Sequence, residues 1–265
     1  MQKKEKMKKE DEEDEEEQQQ HQTAVLEQVF GHFSSDDDDN QEEEDDHMAA
    51  VLEQVFGNSS SDEEDESEKN WECIEEVKGL WILRNFLSIS QQSCLLSSIK
   101  SEKWFTQPSI NQAMRFGYQN LPNWAIKLSN SIHRSCCSSS SSSSSSSLFP
   151  PNLLQRKPFF DQMITNFYQP GEGICPHVDL LRFEDGIAIV SLESSCVMDF
   201  SLESEETVPV LLNPGSLVFM FDDARYVWKH EINRKPGFQS WQGQLLNQTT
   251  RTSVTLRKLC SSPST

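Results

Sequence analysis

Short apolar runs crowd the C-terminal part of this chain. "MITNFYQ", "GIAIVSLE", "SCVMDFS", "VPVLLN", "SLVFMF", "RYVWKHEI" and "TSVTLRK" are each rich in Val, Ile, Leu or Phe. Turn pieces, "PGEG", "FEDG", "NPGS" and "KPGF", separate them. Many short strands at close spacing predict a mainly β sandwich or barrel, not a parallel α/β sheet. Upstream, "VKGLWILRNFLSISQQSCLLSSIKS" predicts a short strand and then a helix. Its cap falls at Ser88 or Ser90, and Leu95, Leu96 and Ile99 face inward. "NLPNWAIKLSNSIHR" predicts a second flanking helix after Pro122.

The first 70 residues lack this pattern. They hold 26 of the 43 acidic residues and 6 of the 23 basic ones, so residues 71–265 are left with 17 of each. A block so acidic and so poor in aromatics cannot bury enough apolar surface to offset chain entropy, which predicts a disordered tail over 1–70. Residues 71–265 suit one domain. The tail contains a duplication, "AVLEQVFG" from Ala24 and again from Ala50. Each copy places a Val-Leu-Val-Phe cluster on one face of a two-turn helix, with Gly31 or Gly57 after it. The copies are either docking helices for a protein partner or a neutral duplication. Ser138–Ser147 is an unbroken serine run, which predicts a flexible insert over 135–150.

Seven cysteines, none in a CxxC pair, indicate neither a disulfide framework nor a zinc knuckle. No apolar run approaches the roughly 18 residues of a membrane span. A monomer in the cytoplasm or nucleus is expected, away from membranes. The "KKEKMKK" run is either a nuclear signal or a solvated end.

Chemistry concentrates in "QPGEGICPHVDLLRFEDG". On a strand, His177 and Asp179 would project to one side. A second histidine would complete a 2-His-1-carboxylate face, the set that leaves positions open on Fe(II). His230 is the candidate, because His133 falls at the end of the second helix, where an exposed position is expected. A buried histidine bonded to a nearby aspartate is the ordinary alternative. In "RTSVTLRK", Arg251, Ser253, Thr255 and Arg257 share one strand face. Two arginines with hydroxyls between them suit a dicarboxylate. A solvent-exposed face is the alternative. Asn166 and Tyr168 of "ITNFYQ" also share a face and could bond the same ligand or simply pack.

Taken in order, "NFYQPGEGICPHVD", "FEDGIAIVSLESSCVMDF", "ARYVWKHEI" and "RTSVTLRK" resemble the AlkB family of Fe(II)/2-oxoglutarate dioxygenases. They are most similar to the catalytic domain of its tRNA wobble-uridine hydroxylase subgroup, the eighth-homologue type. The resemblance runs from about Phe159 to Leu259, and more weakly through Trp71–Arg134. It implies a double-stranded β-helix (jelly-roll) core. It implies that His177, Asp179 and His230 hold iron and that Arg251 pairs with the distal carboxylate of 2-oxoglutarate. Asn166, Tyr168, Ser253 and Arg257 would complete the cosubstrate pocket. With O2 as the other cosubstrate, oxidative decarboxylation would be coupled to hydroxylation of a C–H bond. "NQAMRFG" lies where family members carry substrate loops, so Arg115 and Phe116 could hold a nucleotide by phosphate contact and stacking; a surface loop with one packed Phe is the alternative. Ser253 stands where the bacterial type has asparagine. These 265 residues have no counterpart of the RNA-recognition module or methyltransferase domain of long subgroup members.

The expected function is therefore hydroxylation or oxidative demethylation of a modified nucleic acid, RNA (tRNA) ahead of DNA. A domain of zero net charge leaves little basic footprint, although Arg182, Arg225, Lys229, Arg234 and Lys235 could form a local patch. Two other readings stand beside it: a protein side-chain hydroxylase or demethylase, and a non-catalytic adaptor working through the acidic tail.

Overall fold

The computed structural model describes residues 70–107, 109–138, 147–202 and 207–260. The acidic tail with both "AVLEQVFG" copies, and most of the serine run, lie outside the described residues. So do the expectations attached to them.

The fold is mainly β. Strands β1 (Glu72–Cys73), β2 (Leu80–Leu83) and β3 (Gln112–Phe116) precede β4 (Gln162–Tyr168), β5 (Ile174–His177), β6 (Ile187–Leu192) and β7 (Cys196–Ser201). Then come β8 (Thr207–Leu212), β9 (Leu217–Met220), β10 (Lys229–Ile232), β11 (Ser240–Trp241), β12 (Gln244–Leu245) and β13 (Arg251–Arg257). A seven-stranded sheet runs β1-β2-β9-β6-β13-β4-β3, and a four-stranded sheet runs β5-β10-β7-β8. Every pairing is antiparallel. The two sheets form the jelly-roll core, and β11 and β12 make a separate hairpin.

Side-chain alternation explains the layering. On β6, Ile187 and Ile189 join Met198, Phe200, Val210 and Leu212 in a core between the sheets. Ala188, Val190 and Leu192, on the other face, join a second core that includes Phe219, Val254 and Leu256. Helices α1 (Ile89–Ser101) and α2 (Asn123–Cys137) cover that second core with Leu95, Ile99, Trp124, Leu128 and Ile132. β6 is buried on both faces, so its sequence is a continuous apolar run. Each fully buried Leu, Ile or Phe stabilises by roughly 1.5–3 kcal/mol before entropy is counted.

Ser88 caps α1 as the sequence predicts. Its hydroxyl accepts from the Gln91 N–H at 3.3 Å, and the Gln91 carboxamide accepts from the Ser88 N–H at 2.9 Å. This reciprocal pair satisfies two end donors. Leu95 and Ile99 are buried, and Leu96 packs at the margin of the same core.

Three expectations need correction. "NQAMRFG" is not a free loop: it contains β3, paired along its length with β4. "RYVWKHEI" is not one strand. Asp222 turns the chain at φ 55°, and Asp223–Tyr226 forms a single helical turn before β10 begins at Lys229. His133 is not an exposed helix end. It is half-buried, its Nε2 lies 2.8 Å from the Leu154 carbonyl oxygen, and its ring packs 4.7 Å from Phe159.

Candidate active site

β5 enters the smaller sheet beside β10 at Gly173. A Cβ there would lie 2.0 Å from the Ile232 carbonyl oxygen, so the approach requires glycine. The pairing sets His177 directly opposite His230, with ring centres 4.3 Å apart. β5 ends at His177, so Asp179 reaches the site from the following loop and not from the strand face that the spacing predicts. Arg225 supplies the bend. Its guanidinium donates to the carbonyls of Asp179 (2.9 Å), Leu180 (2.7 Å) and Phe183 (3.0 Å). It is buried at 1% exposure, so it belongs to no surface patch.

The bend turns the Asp179 carboxylate inward, Oδ2 3.7 Å from His230 Nε2. One ligand atom from each of His177, Asp179 and His230 lies within 4.8 Å of the others. Among the described residues this is the cluster able to hold a metal ion. His177 Nδ1 donates to the Cys175 carbonyl at 2.8 Å, which leaves Nε2 for the cluster. Burial pushes the His230 imidazole down to about 3, helped by His177 and opposed by Asp179. It is therefore neutral, as a metal ligand must be. Burial opposes ionisation of Asp179, but the neighbouring positive charges, Arg257 first, outweigh it and hold the carboxyl below its usual range.

β13 supplies the second half of the site. Arg251, Ser253 and Thr255 are buried and point between the sheets, not to solvent. The register aligns Ser253 with Asn166 of β4 on one side and Ser191 of β6 on the other. Arg251 aligns with Tyr168 and lies over its ring at 5.3 Å. Burial raises the Tyr168 phenol, against the pull of Arg251, so it stays protonated. Arg257 pairs with the metal cluster instead of standing free: its Nη2 lies 2.7 Å from Asp179 Oδ1.

The residues fit the groups they are expected to hold. Two imidazoles and one carboxylate are the donor set that suits Fe(II) with open positions. Arg251 Nη2 donates to Ser191 Oγ at 2.9 Å. Among the described residues, Arg251 Nε and Nη1 and Asn166 Oδ1 have no hydrogen-bond partner although buried. Each such orphan costs about 1–3 kcal/mol, and a carboxylate accepting from the guanidinium removes the cost at the two arginine nitrogens.

Of the sequence-predicted residues, the structure brings together His177, Asp179, His230, Arg257, Arg251, Tyr168, Ser253 and Asn166. It separates Arg115 from Phe116. Arg115 aligns with Met163, on the helix side of the sheet, and lies 4.6 Å over the Trp104 ring. Phe116 takes the opposite face. Sequence reasoning missed Ser191 and gave Arg225 to a surface patch, not to the loop it holds. Ser191 was signalled by a polar residue at the third inward position of "GIAIVSLE". Arg225 acts on carbonyls more than 40 residues away, and nothing local marks it.

The sequence profile described as "2OG-Fe(II) oxygenase superfamily" matches residues 79–257. A protein of Xenopus tropicalis named tRNA (carboxymethyluridine(34)-5-O)-methyltransferase is 31% identical over 219 residues, covering 70% of this chain and 32% of that protein. Its namesake from Macaca fascicularis is 39% identical over 126 residues, covering 42% of this chain and 19% of that one. Uncharacterized protein L905 of Acanthamoeba polyphaga mimivirus is 27% identical over 194 residues, covering 70% of this chain and 87% of the viral protein. The chain thus spans a third or less of the two methyltransferase-named relatives.

Proposed function

This chain belongs to the 2OG-Fe(II) oxygenase superfamily as an AlkB-type dioxygenase using Fe(II), 2-oxoglutarate and O2, and we propose that it hydroxylates or oxidatively demethylates a modified base in RNA, tRNA foremost. The observation that carries the reading is the triad, with Asp179 and His230 buried, flanked by two arginines, Arg257 tied to Asp179 and Arg251 buried with unpaired donors. The names of the relatives support an RNA substrate.

His177, Asp179 and His230 hold the metal. When bound, Fe(II) supplies the oxygen activation that couples decarboxylation of 2-oxoglutarate to oxidation of a C–H bond. Arg251 binds the distal carboxylate, with Ser191 fixing one of its nitrogens. Tyr168, Asn166 and Ser253 line the same space and orient the cosubstrate. Arg257 fixes Asp179 Oδ1, which leaves Oδ2 toward the histidines.

The test is incubation of the purified chain with Fe(II), 2-oxoglutarate and, separately, total RNA, DNA and a peptide mixture. Succinate release and mass spectrometry of the digested nucleosides are measured. The reading expects oxidised nucleosides from RNA. Oxidation confined to peptides moves the substrate to protein, and no succinate under any condition overturns the enzyme.

A further inference from the structure

The triad lies at one end of the jelly roll, and the rim there carries an unpaired cation on aromatic faces. Arg182, three residues after Asp179, is exposed. Its guanidinium lies 5.4 Å over the Phe116 ring and 5.2 Å over Phe183. Arg257, which holds Asp179, lies over the same Phe183 ring at 4.7 Å. One aromatic ring therefore separates Arg182 from the charge network of the triad. Phe116, Gln162 and Arg257 are in register across β3, β4 and β13. Two strand spacings put Phe116 about 10 Å from Arg257 along the sheet.

Among the described residues no carboxylate or carbonyl pairs with the Arg182 guanidinium. Of the arginines around the triad, Arg225 is held by three carbonyls and Arg257 by Asp179, while Arg251 keeps free donors but is buried between the sheets. Phe116 and Tyr118 are each 39% exposed. A planar cation without a partner recognises phosphate oxygens in a two-pronged way. An exposed ring beside it offers a stacking face to an unpaired base.

We propose that Arg182 and Phe116 form a subsite for the nucleotide next to the one whose base enters the metal centre, Arg182 taking its phosphate and Phe116 its base. This rests on the nucleic-acid reading above. It replaces the Arg115–Phe116 pair that adjacency in sequence implied, because neighbours on a strand face opposite ways.

The test is fluorescence anisotropy of a fluorescein-labelled single-stranded RNA oligonucleotide titrated with full-length protein over a series of salt concentrations. Thermal melts check that each variant is folded. Arg182→Ala is expected to weaken binding and flatten the log Kd against log salt line by about 0.7, the value of one lost phosphate contact on a single strand. Arg182→Lys keeps the slope, because the charge remains. Phe116→Ala is expected to weaken binding about 5-fold or more with the slope unchanged. If the wild type binds and Arg182→Ala matches it in affinity and slope, the subsite is overturned and the nucleic-acid reading stands. If the wild type binds no RNA, both fall together.

Discussion

Arg257 Nη2 lies 2.7 Å from Asp179 Oδ1, and the two side chains are 14% and 4% exposed. A metal ligand is thus held by a cation from the last strand of the larger sheet. Removing one partner of a buried pair leaves the other charge uncompensated. Arg257→Ala is expected to weaken iron binding about 10- to 100-fold, the range for residues that orient a ligand without touching the metal. Fe(II) titration of 2-oxoglutarate turnover in air-saturated buffer measures it, and an unchanged midpoint would remove Arg257 from the metal site.

Arg251→Lys should raise the 2-oxoglutarate requirement strongly. An ammonium cannot reproduce the planar fork or the bond to Ser191 Oγ. Loss of a buried charge-assisted bond costs on the order of 2–5 kcal/mol, about 30-fold or more in affinity. Ser191→Ala should have a smaller effect of the same sign, because the guanidinium keeps its charge and loses only one fixing contact. A cosubstrate titration identical to wild type in Arg251→Lys places the carboxylate clamp elsewhere.

The parts of this site that follow from period-two alternation were legible. "RTSVTLRK" lists its polar face in order, and that face lies between the sheets. That both of its faces are buried was not legible, because burial of the polar one depends on where the smaller sheet packs. The His177–Asp179 spacing marked the ligands but gave the wrong backbone, since the loop's shape is set by Arg225 across the fold. Reading "NQAMRFG" as a loop hid the one fact that separates Arg115 from Phe116, the parity of a strand. The helical turn at Asp223–Tyr226 escaped for a related reason: its Tyr-Val-Trp run has strand composition, and only the reversal at Asp222 breaks it.

His230→Ala should abolish iron-dependent turnover while leaving the fold. His230 is 5% exposed, and among the described residues its Nδ1 is without a partner, so truncation removes an unsatisfied polar atom along with the ring. The decisive readout is thermal. Ni(II), which is inert toward O2 here, should raise the wild-type melting point, since saturation to 100 times Kd is worth about 2.7 kcal/mol. The variant should show no such rise. A Ni(II)-dependent rise of wild-type size in His230→Ala would refute the ligand assignment.

Asp185 allows a pH test away from the metal. Its Oδ1 accepts from the N–H groups of Gly186 at 2.9 Å and Asp222 at 3.0 Å. Burial nevertheless raises its carboxyl above the ordinary value. A raised folded pKa means that the folded state binds the proton more tightly than the unfolded chain. Its favourable contribution is complete below the unfolded pKa and is lost as pH rises through the folded one. Asp185→Asn keeps the Oδ1 acceptor without the charge. It should be more stable than wild type in urea at neutral pH, with the gap closing on acidification. A gap that widens on acidification would reverse the sign assigned to this group.

Removal of residues 1–70 should strengthen RNA binding at low salt. Those residues hold 26 acidic and 6 basic side chains, whereas the remainder is balanced at 17 each. A segment of that charge repels a polyanion, and the repulsion is screened over a Debye length of about 8 Å at physiological ionic strength. The truncated and full-length proteins should therefore converge as salt rises, with the full-length protein showing the shallower dependence. RNA titrations of both across a salt series give the two lines. If truncation weakens binding instead, charge repulsion is not the tail's main effect on RNA. The two "AVLEQVFG" copies then become the segments to delete one at a time, because each is an apolar cluster that charge alone does not explain.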